Sequence, residues 1–190
     1  MLNIFRSPSY IRVLHASPDA PPVDVYLDHK KVLTGISYKN ISDYLKIKPG
    51  RYKLEIYPSA IPKMKAVLSK TVLIPPGSIY TIAAVNRVSK LNIFIINDPQ
   101  QIPRKNISYL RSVHLSPNAP AVNIRVNSRN TCKSLRYKEI SRYARLNPET
   151  YDITVLTAIG NKKVLEIKNQ VLQSAFYQTV YILGLSTEEA

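Results

Sequence analysis

The sequence predicts an all-β protein made of two tandem immunoglobulin-like antiparallel β-sandwich domains. Three observations predict it. The chain repeats itself, its apolar residues alternate with polar ones, and its breaks are punctuated by proline-rich turns. Fourteen prolines and five glycines in 190 residues suit a turn-rich protein, and 45% apolar content is enough for real cores. The reading divides the chain into an N-terminal extension (1–9), a first repeat (10–98), a linker (99–108) with Pro99 and Pro103, and a second repeat (109–190).

The repeat carries most weight. Tyr10 to Tyr52 aligns with Tyr109 to Tyr151 without a gap, at a constant shift of 99. His15-Ala16-Ser17-Pro18-Asp19-Ala20-Pro21 meets His114-Leu115-Ser116-Pro117-Asn118-Ala119-Pro120. Tyr38-Lys39, Ile41-Ser42, Tyr44 and Pro49 recur as Tyr137-Lys138, Ile140-Ser141, Tyr143 and Pro148.

The elements follow in order. Val23, Val25 and Leu27 alternate with Asp24, Tyr26 and Asp28, a strand with one face inward. Pro49-Gly50 is a turn, and Tyr52, Leu54 and Ile56 then alternate with Lys53, Glu55 and Tyr57. Pro75-Pro76-Gly77 is a second turn. Ser78–Val85 resembles the stretch from Ala175 to Leu183. Leu91 to Ile96, apolar but for Asn92, reads as a buried strand. About seven short strands per repeat give the sandwich.

The recurrent loop supplies the candidate site: His15, Ser17, Asp19 and Asp24 with His114, Ser116, Asn118 and Asn123. Asx residues make side-chain-to-backbone turns and prolines preset φ, so the expected role is loop shaping, with the histidine bridging the loop. A histidine with two carboxylates has metal-binding chemistry, but the second repeat offers only asparagines, so no metal is expected. Ser17 and Ser116 follow a histidine by two residues, yet no third group organises them as nucleophiles. No Gly-rich phosphate loop, zinc-type cluster or paired-cysteine motif is present. The expectation is a protein without cofactor and without catalysis.

The formal net charge of +15 calls for an anionic partner, such as a cell-wall polymer or an acidic protein layer. The basic residues are scattered in pairs, Lys30-Lys31, Arg104-Lys105 and Lys162-Lys163, and not gathered into the stripe expected of a nucleic-acid binder. Cys132 stands alone, so no intramolecular disulfide forms, and it reads as a small buried hydrophobe. Thirteen tyrosines against three phenylalanines read as sandwich core and rim, with a sticky tyrosine surface as the sharper alternative. No apolar run approaches the roughly 20 residues of a membrane span. Met1–Tyr10 has no apolar stretch of secretory-signal length, so synthesis in the cytoplasm is expected.

The stretch Val13-Leu14-His15-Ala16-Ser17-Pro18-Asp19-Ala20-Pro21-Pro22-Val23-Asp24-Val25-Tyr26 resembles the opening signature of the bacterial family called domain of unknown function 4397. Ile36-Ser37-Tyr38, Ser42-Asp43-Tyr44 and Pro49-Gly50-Arg51-Tyr52 fit the same pattern. The resemblance covers about residues 10–97 and, more weakly, 109–185. It implies a β-sandwich module of exported or cell-envelope proteins and no known reaction. Two departures stand out: the missing export signal, and Pro148-Glu149 in place of the Pro-Gly turn. Family and missing signal together point to a structural or adhesive protein of a surface layer, with a spore coat, assembled from the cytoplasm, as one location. A module for anionic wall polymer or carbohydrate is the alternative.

One further expectation concerns the ends. The first repeat finishes with Leu91-Asn92-Ile93-Phe94-Ile95-Ile96, and Leu185 to Ala190 offers no equivalent. Leu2-Asn3-Ile4-Phe5 repeats Leu91 to Phe94 letter for letter. Two readings stand for this segment: Leu2, Ile4 and Phe5 supply a complementing strand to the second sandwich, within one molecule or between molecules, or Met1 to Ser9 is a frayed tail or merely adds to the first domain.

Overall fold

The structure, a computed structural model, describes residues 7–59 and 65–186. Leu2, Ile4 and Phe5 lie outside the described residues. The chain divides into two units, Met1–Gln100 and Gln101–Ala190. No helix among the described residues is long and apolar enough to cross a membrane.

Unit 1 is built from β1 (Ser9–His15), β2 (Val23–Leu27), β3 (Lys30–Ile36), β4 (Leu45–Ile47), β5 (Gly50–Pro58), β6 (Leu68–Ile74), β7 (Ile79–Val85) and β8 (Asn92–Asn97). Its two sheets have the orders β4-β1-β7-β8 and β3-β2-β5-β6. Ile11, Val13, Ile82 and Ala84 from the first pack on Val23, Val25, Leu54, Ile56 and Val72 from the second. That is the two-layer core of a sandwich.

Unit 2 repeats the plan with β9 (Ser108–His114), β10 (Val122–Val126), β11 (Arg129–Leu135), β12 (Ala144–Leu146), β13 (Thr150–Thr157), β14 (Lys163–Val171) and β15 (Phe176–Ile182). Its sheets run β12-β9-β15 and β11-β10-β13-β14. Leu110, Val122, Ile124, Ile153, Val155 and Ile182 form its core.

Three expectations need correction. The sandwiches are not purely antiparallel: β1 pairs parallel with β7, and β9 with β15. These partners are far apart in sequence, so no hairpin forces their directions to oppose. The stretch Leu91–Ile96 is an edge strand, with Ile96 wholly buried and Ile95 37% exposed. Asp24 and Glu55, assigned to an outward face, are buried. Each is covered by a lysine, Lys31 on Asp24 and Lys53 on Glu55, and the His29 ring lies 2.9 Å from Glu55 as well.

Local chemistry explains the turns. Asp28 and His29 both have positive φ (47° and 65°), the pair that a two-residue type I′ hairpin demands between β2 and β3. Gly77 (φ 72°) follows Pro76, and the Ser78 N–H reaches the Pro75 carbonyl at 3.3 Å, a type II turn. Gly50 instead opens β5 outside the left-handed region, with open room for a Cβ at ordinary contact distance from Tyr52. That is why Glu149 can occupy the matching place in unit 2.

The edges β3 and β11 carry the same pair of bulges. Val23 faces Ile36 but Val25 faces Leu33, and Val122 faces Leu135 but Ile124 faces Cys132. Gly35 (φ 67°) and Ser134 (φ 51°) sit in the left-handed region at the bulge. Nothing lies within 4 Å of a Cβ built on Gly35, so only backbone strain resists substitution there. Gly35→Ala is therefore expected to cost unit 1 about 1 kcal/mol. Calorimetry that resolves the two units checks this, and an unchanged unit 1 transition would contradict it.

Candidate functional site

The repeated motif closes the end of β1 and of β9 in the same way. Each histidine is the last residue of its strand and is wholly buried. The His15 Nε2–H donates to the Pro21 carbonyl (3.1 Å), while Nδ1 accepts the Ser17 N–H (3.3 Å). His114 does the same with Pro120 (3.1 Å) and Ser116 (3.3 Å). Both ring nitrogens are thus engaged by backbone, and the imidazole staples the Ser-Pro-Asx-Ala-Pro loop shut. This pairing fixes a neutral ring with its proton on Nε2. Burial pulls both imidazoles below their ordinary value, against the smaller opposing effect of the proline carbonyls.

A second loop locks the same histidine from behind. The His15 N–H donates to the Asn40 carbonyl (3.0 Å), and the Lys39 N–H donates to the His15 carbonyl (2.8 Å). His114 is held likewise by Glu139 and Lys138. Lys39 and Lys138 adopt positive φ (72° and 64°) to make this turn. Tyr38 and Tyr137 meet the histidine rings edge-on at 6.1 and 6.4 Å. The ammonium groups of Lys39 and Lys138 lie over the same tyrosines at 5.4 and 5.1 Å.

The Asx residues catch backbone N–H groups that leave the ladders. Asp19 Oδ1 accepts from the Val88 N–H (2.8 Å), and Asn118 Oδ1 from the Ser186 N–H (2.9 Å). Asn118 adds a bond of its own, from Nδ2 to the Ser186 carbonyl (2.9 Å). Asp24 Oδ1 takes the bulge N–H of Gly35 (3.0 Å), and Asn123 Oδ1 that of Ser134 (2.9 Å). A third pair escaped the sequence reading: Asp28 accepts the Lys53 N–H (2.8 Å) and Asn127 the Asp152 N–H (2.9 Å). The signal was available, since these two also stand 99 apart. In all three pairs the acceptor oxygen is kept and the charge is not.

The serines differ between copies. Ser116 Oγ donates to the Gly184 carbonyl (2.8 Å). Ser17 Oγ is buried with no hydrogen-bond partner among the described residues. Neither hydroxyl bonds a histidine nitrogen, because the serine's own N–H occupies Nδ1. Among the described residues no three of His, Cys, Asp and Glu gather as metal ligands.

Asp24 is held by three groups. Lys31 Nζ (2.7 Å) and Ser59 Oγ (2.6 Å) join the Gly35 N–H on it. Burial opposes its ionisation, but those three bonds and the lysine charge outweigh it and hold the carboxyl below its ordinary value.

A separate network in unit 1 was also missed. Tyr44 and Thr81 both donate to Asp98 Oδ2 (2.5 Å each), Arg12 Nε donates to Thr81 Oγ1 (2.8 Å), and the Arg12 guanidinium lies 4.5 Å from the Tyr44 ring centre. Burial and the bond to Asp98 push the Tyr44 hydroxyl up. Unit 2 keeps the arginine, threonine and tyrosine as Arg111, Thr179 and Tyr143. Cys132 is half-buried beside the unit 2 core, and burial raises its thiol. A raised thiol is a poor nucleophile at neutral pH.

Comparison with known proteins agrees with the duplication. The family model described as a domain of unknown function (DUF4397) matches residues 9–125 and 108–188. No curated protein matches the chain. Among solved structures, a leucine-rich repeat protein from Bacteroides thetaiotaomicron is similar at 13% identity and a TM-score of 0.26. The match covers 98% of this chain and 27% of that one, and at that TM-score it carries no argument here.

Two predictions follow from the staples. Unfolded histidine takes a proton near pH 6.5, whereas the folded rings resist it to lower pH. Both units should therefore lose stability as pH falls below about 6.5, and unit 1 should lose more below about 3.8, where the unfolded Asp24 carboxyl protonates first. Melting curves from pH 7 to 3 check the windows, with His15→Gln plus His114→Gln flattening the upper one. Separately, Asp24→Ala strands the bulge N–H and should cost unit 1 about 2 kcal/mol, and Asp24→Asn less than half of that.

Proposed function

Because the chain belongs to the DUF4397 family, in two tandem copies, we propose that it is a non-catalytic structural or adhesive protein of a bacterial surface layer, with the spore coat as one candidate location. One observation carries the non-catalytic part. The histidines and Asx residues of the repeat are spent on backbone: two histidines by both ring nitrogens, and three Asx pairs by the same oxygen in each copy. A catalytic carboxylate could not become an amide and keep its reaction. A fastening oxygen can, and here it does so three times.

The charge of +15 favours anionic surroundings, and the exposed cationic surface would hold the protein in a layer of acidic polymer or acidic protein. The same charge supports the second reading, a module for anionic wall polymer or carbohydrate. Scattered basic pairs without a stacking stripe leave nucleic acid as the weakest partner.

Fractionation of the bacterium that makes the protein tests the location. Immunoblotting should recover it from the detergent-insoluble spore or envelope fraction, and recovery from the soluble lysate alone would overturn the reading. Sedimentation with purified wall polymer at low salt and at about 0.5 M salt tests the second: screening at 0.5 M should release a charge-held protein. Random-sequence DNA, run at near-physiological salt, should not shift.

A further inference from the structure

The last strand of each unit meets different surroundings. In unit 1, β7 lies between β1 and β8. In unit 2, among the described residues, β15 ends its sheet and no strand runs along its outer edge. Strand register allows the comparison to be made residue by residue. Tyr10 faces Ile79 and Tyr109 faces Tyr177, so β15 matches β7 at a shift of 98. Leu68 faces Ile56 and Leu165 faces Val155, so these leucines hold the same place on β6 and β14.

Their exposure does not match. Leu68 is 9% exposed and Leu165 45%. Leu91, just before β8, and Ile93, within it, pack against the unit 1 core, and Ile96 is wholly buried. Unit 2 instead has a groove of about 370 Å³ whose apolar floor includes Val155, Leu165, Ile182 and Leu183 and whose rim carries Lys162 and Lys163. Apolar lining on an open sandwich seam leaves both side chains and strand-edge amides without dry partners.

We propose that this groove receives residues Leu2–Phe5 of a second copy of this chain, added antiparallel to β15 as an eighth strand. The sequence identifies the occupant. Leu2-Asn3-Ile4-Phe5 repeats Leu91-Asn92-Ile93-Phe94, the segment that covers the matching edge in unit 1. There Asn92 faces Val85, Ile93 faces Ala84 and Phe94 faces Ala83. Carried over, Asn3 lies opposite Leu183, Ile4 opposite Ile182 and Phe5 opposite Tyr181. Leu2 and Ile4 then enter the groove as Leu91 and Ile93 enter the unit 1 core.

The root of the donor is fastened to unit 1. The Gly77 N–H donates to the Ser7 carbonyl (3.3 Å) and Ser9 Oγ donates to the Pro75 carbonyl (2.6 Å). Donor and acceptor are therefore different surfaces of one chain, and copies join head to tail into a ring or a filament. Two buried aliphatic side chains make each joint weak, so assembly rises with concentration. Repulsion between copies of charge +15 opposes it, so salt promotes it. This deepens the structural reading above by naming its joint, and it is tested on the purified chain, independently of where the protein resides.

In a Cys132→Ser background, Phe5→Cys and Tyr181→Cys are placed in separate preparations, mixed and mildly oxidised. Opposed residues of an antiparallel pair lie within disulfide reach. A disulfide-linked heterodimer is expected from the mixture. Sedimentation of the unmodified chain should show mass increasing with concentration and salt, and Leu2→Asp with Ile4→Asp should stay monomeric with an unchanged melting temperature. No heterodimer from the mixture overturns the proposal. So does cross-linking confined to a monomer carrying both cysteines, which would place the chain's own segment in the groove. If Tyr181→Cys fails to fold, the sedimentation arm decides alone: assembly that survives the double aspartate substitution overturns the proposal.

Discussion

Backbone N–H groups that leave a β-ladder must still find an acceptor, and this protein meets that constraint with side-chain oxygens and imidazole nitrogens. A buried N–H without a partner costs about 1–3 kcal/mol, a large share of the marginal stability of a small domain. The bulges in β3 and β11 each release such a group, and Asp24 and Asn123 take them. The loops after β1 and β9 release others, and His15 and His114 take those. The hairpin β2–β3 depends on Asp28 in the same way. Remove these acceptors and the two sheets of each unit have cores but no defined corners.

The two units answer the same geometric problem with different electrostatics. Unit 1 uses carboxylates, and the buried ones carry a cation, Lys31 on Asp24 and Arg12 on Asp98. Unit 2 uses amides at 118, 123 and 127, and the amide nitrogen then finds work of its own, as Asn118 does on the Ser186 carbonyl. An amide costs less to bury than an ion, so the second solution gains shape without an ionic shell. Lys31 therefore has a reason to sit over Asp24 that no residue needs over Asn123.

The repeat, the strand faces and the fastening role of the His-Ser-Pro-Asx loop were legible because each leaves a local or periodic trace. Val23, Val25 and Leu27 advertise an inward face, and the Pro-rich loop advertises a preset turn. What was not legible lies across long separations. Tyr44 and Asp98 are 54 residues apart, and nothing in either neighbourhood announces the other. Burial of Asp24 could not be read from alternation, since its outward face is roofed by Lys31 and Ser59. The Pro49-Gly50 turn does not need a glycine, since Gly50 lies outside the left-handed region, whereas Gly35, unremarked in the sequence, occupies it. The parallel partnership of β1 with β7 has no sequence signature either.

That partnership has a consequence during synthesis. β1 is an interior strand, flanked by β4 and β7, and its contact with β7 joins residues 69 apart, as between Arg12 and Thr81. At about 5–20 residues per second the ribosome delivers β7 several seconds after β1. Late in that interval the strand that begins the first repeat has one flank paired by β4 and the 39–42 loop and the other, β7 flank bare. The nascent chain thus passes through a stage with an adhesive flank before its own seventh strand arrives, and neighbouring chains on one message are the nearest competitors for it.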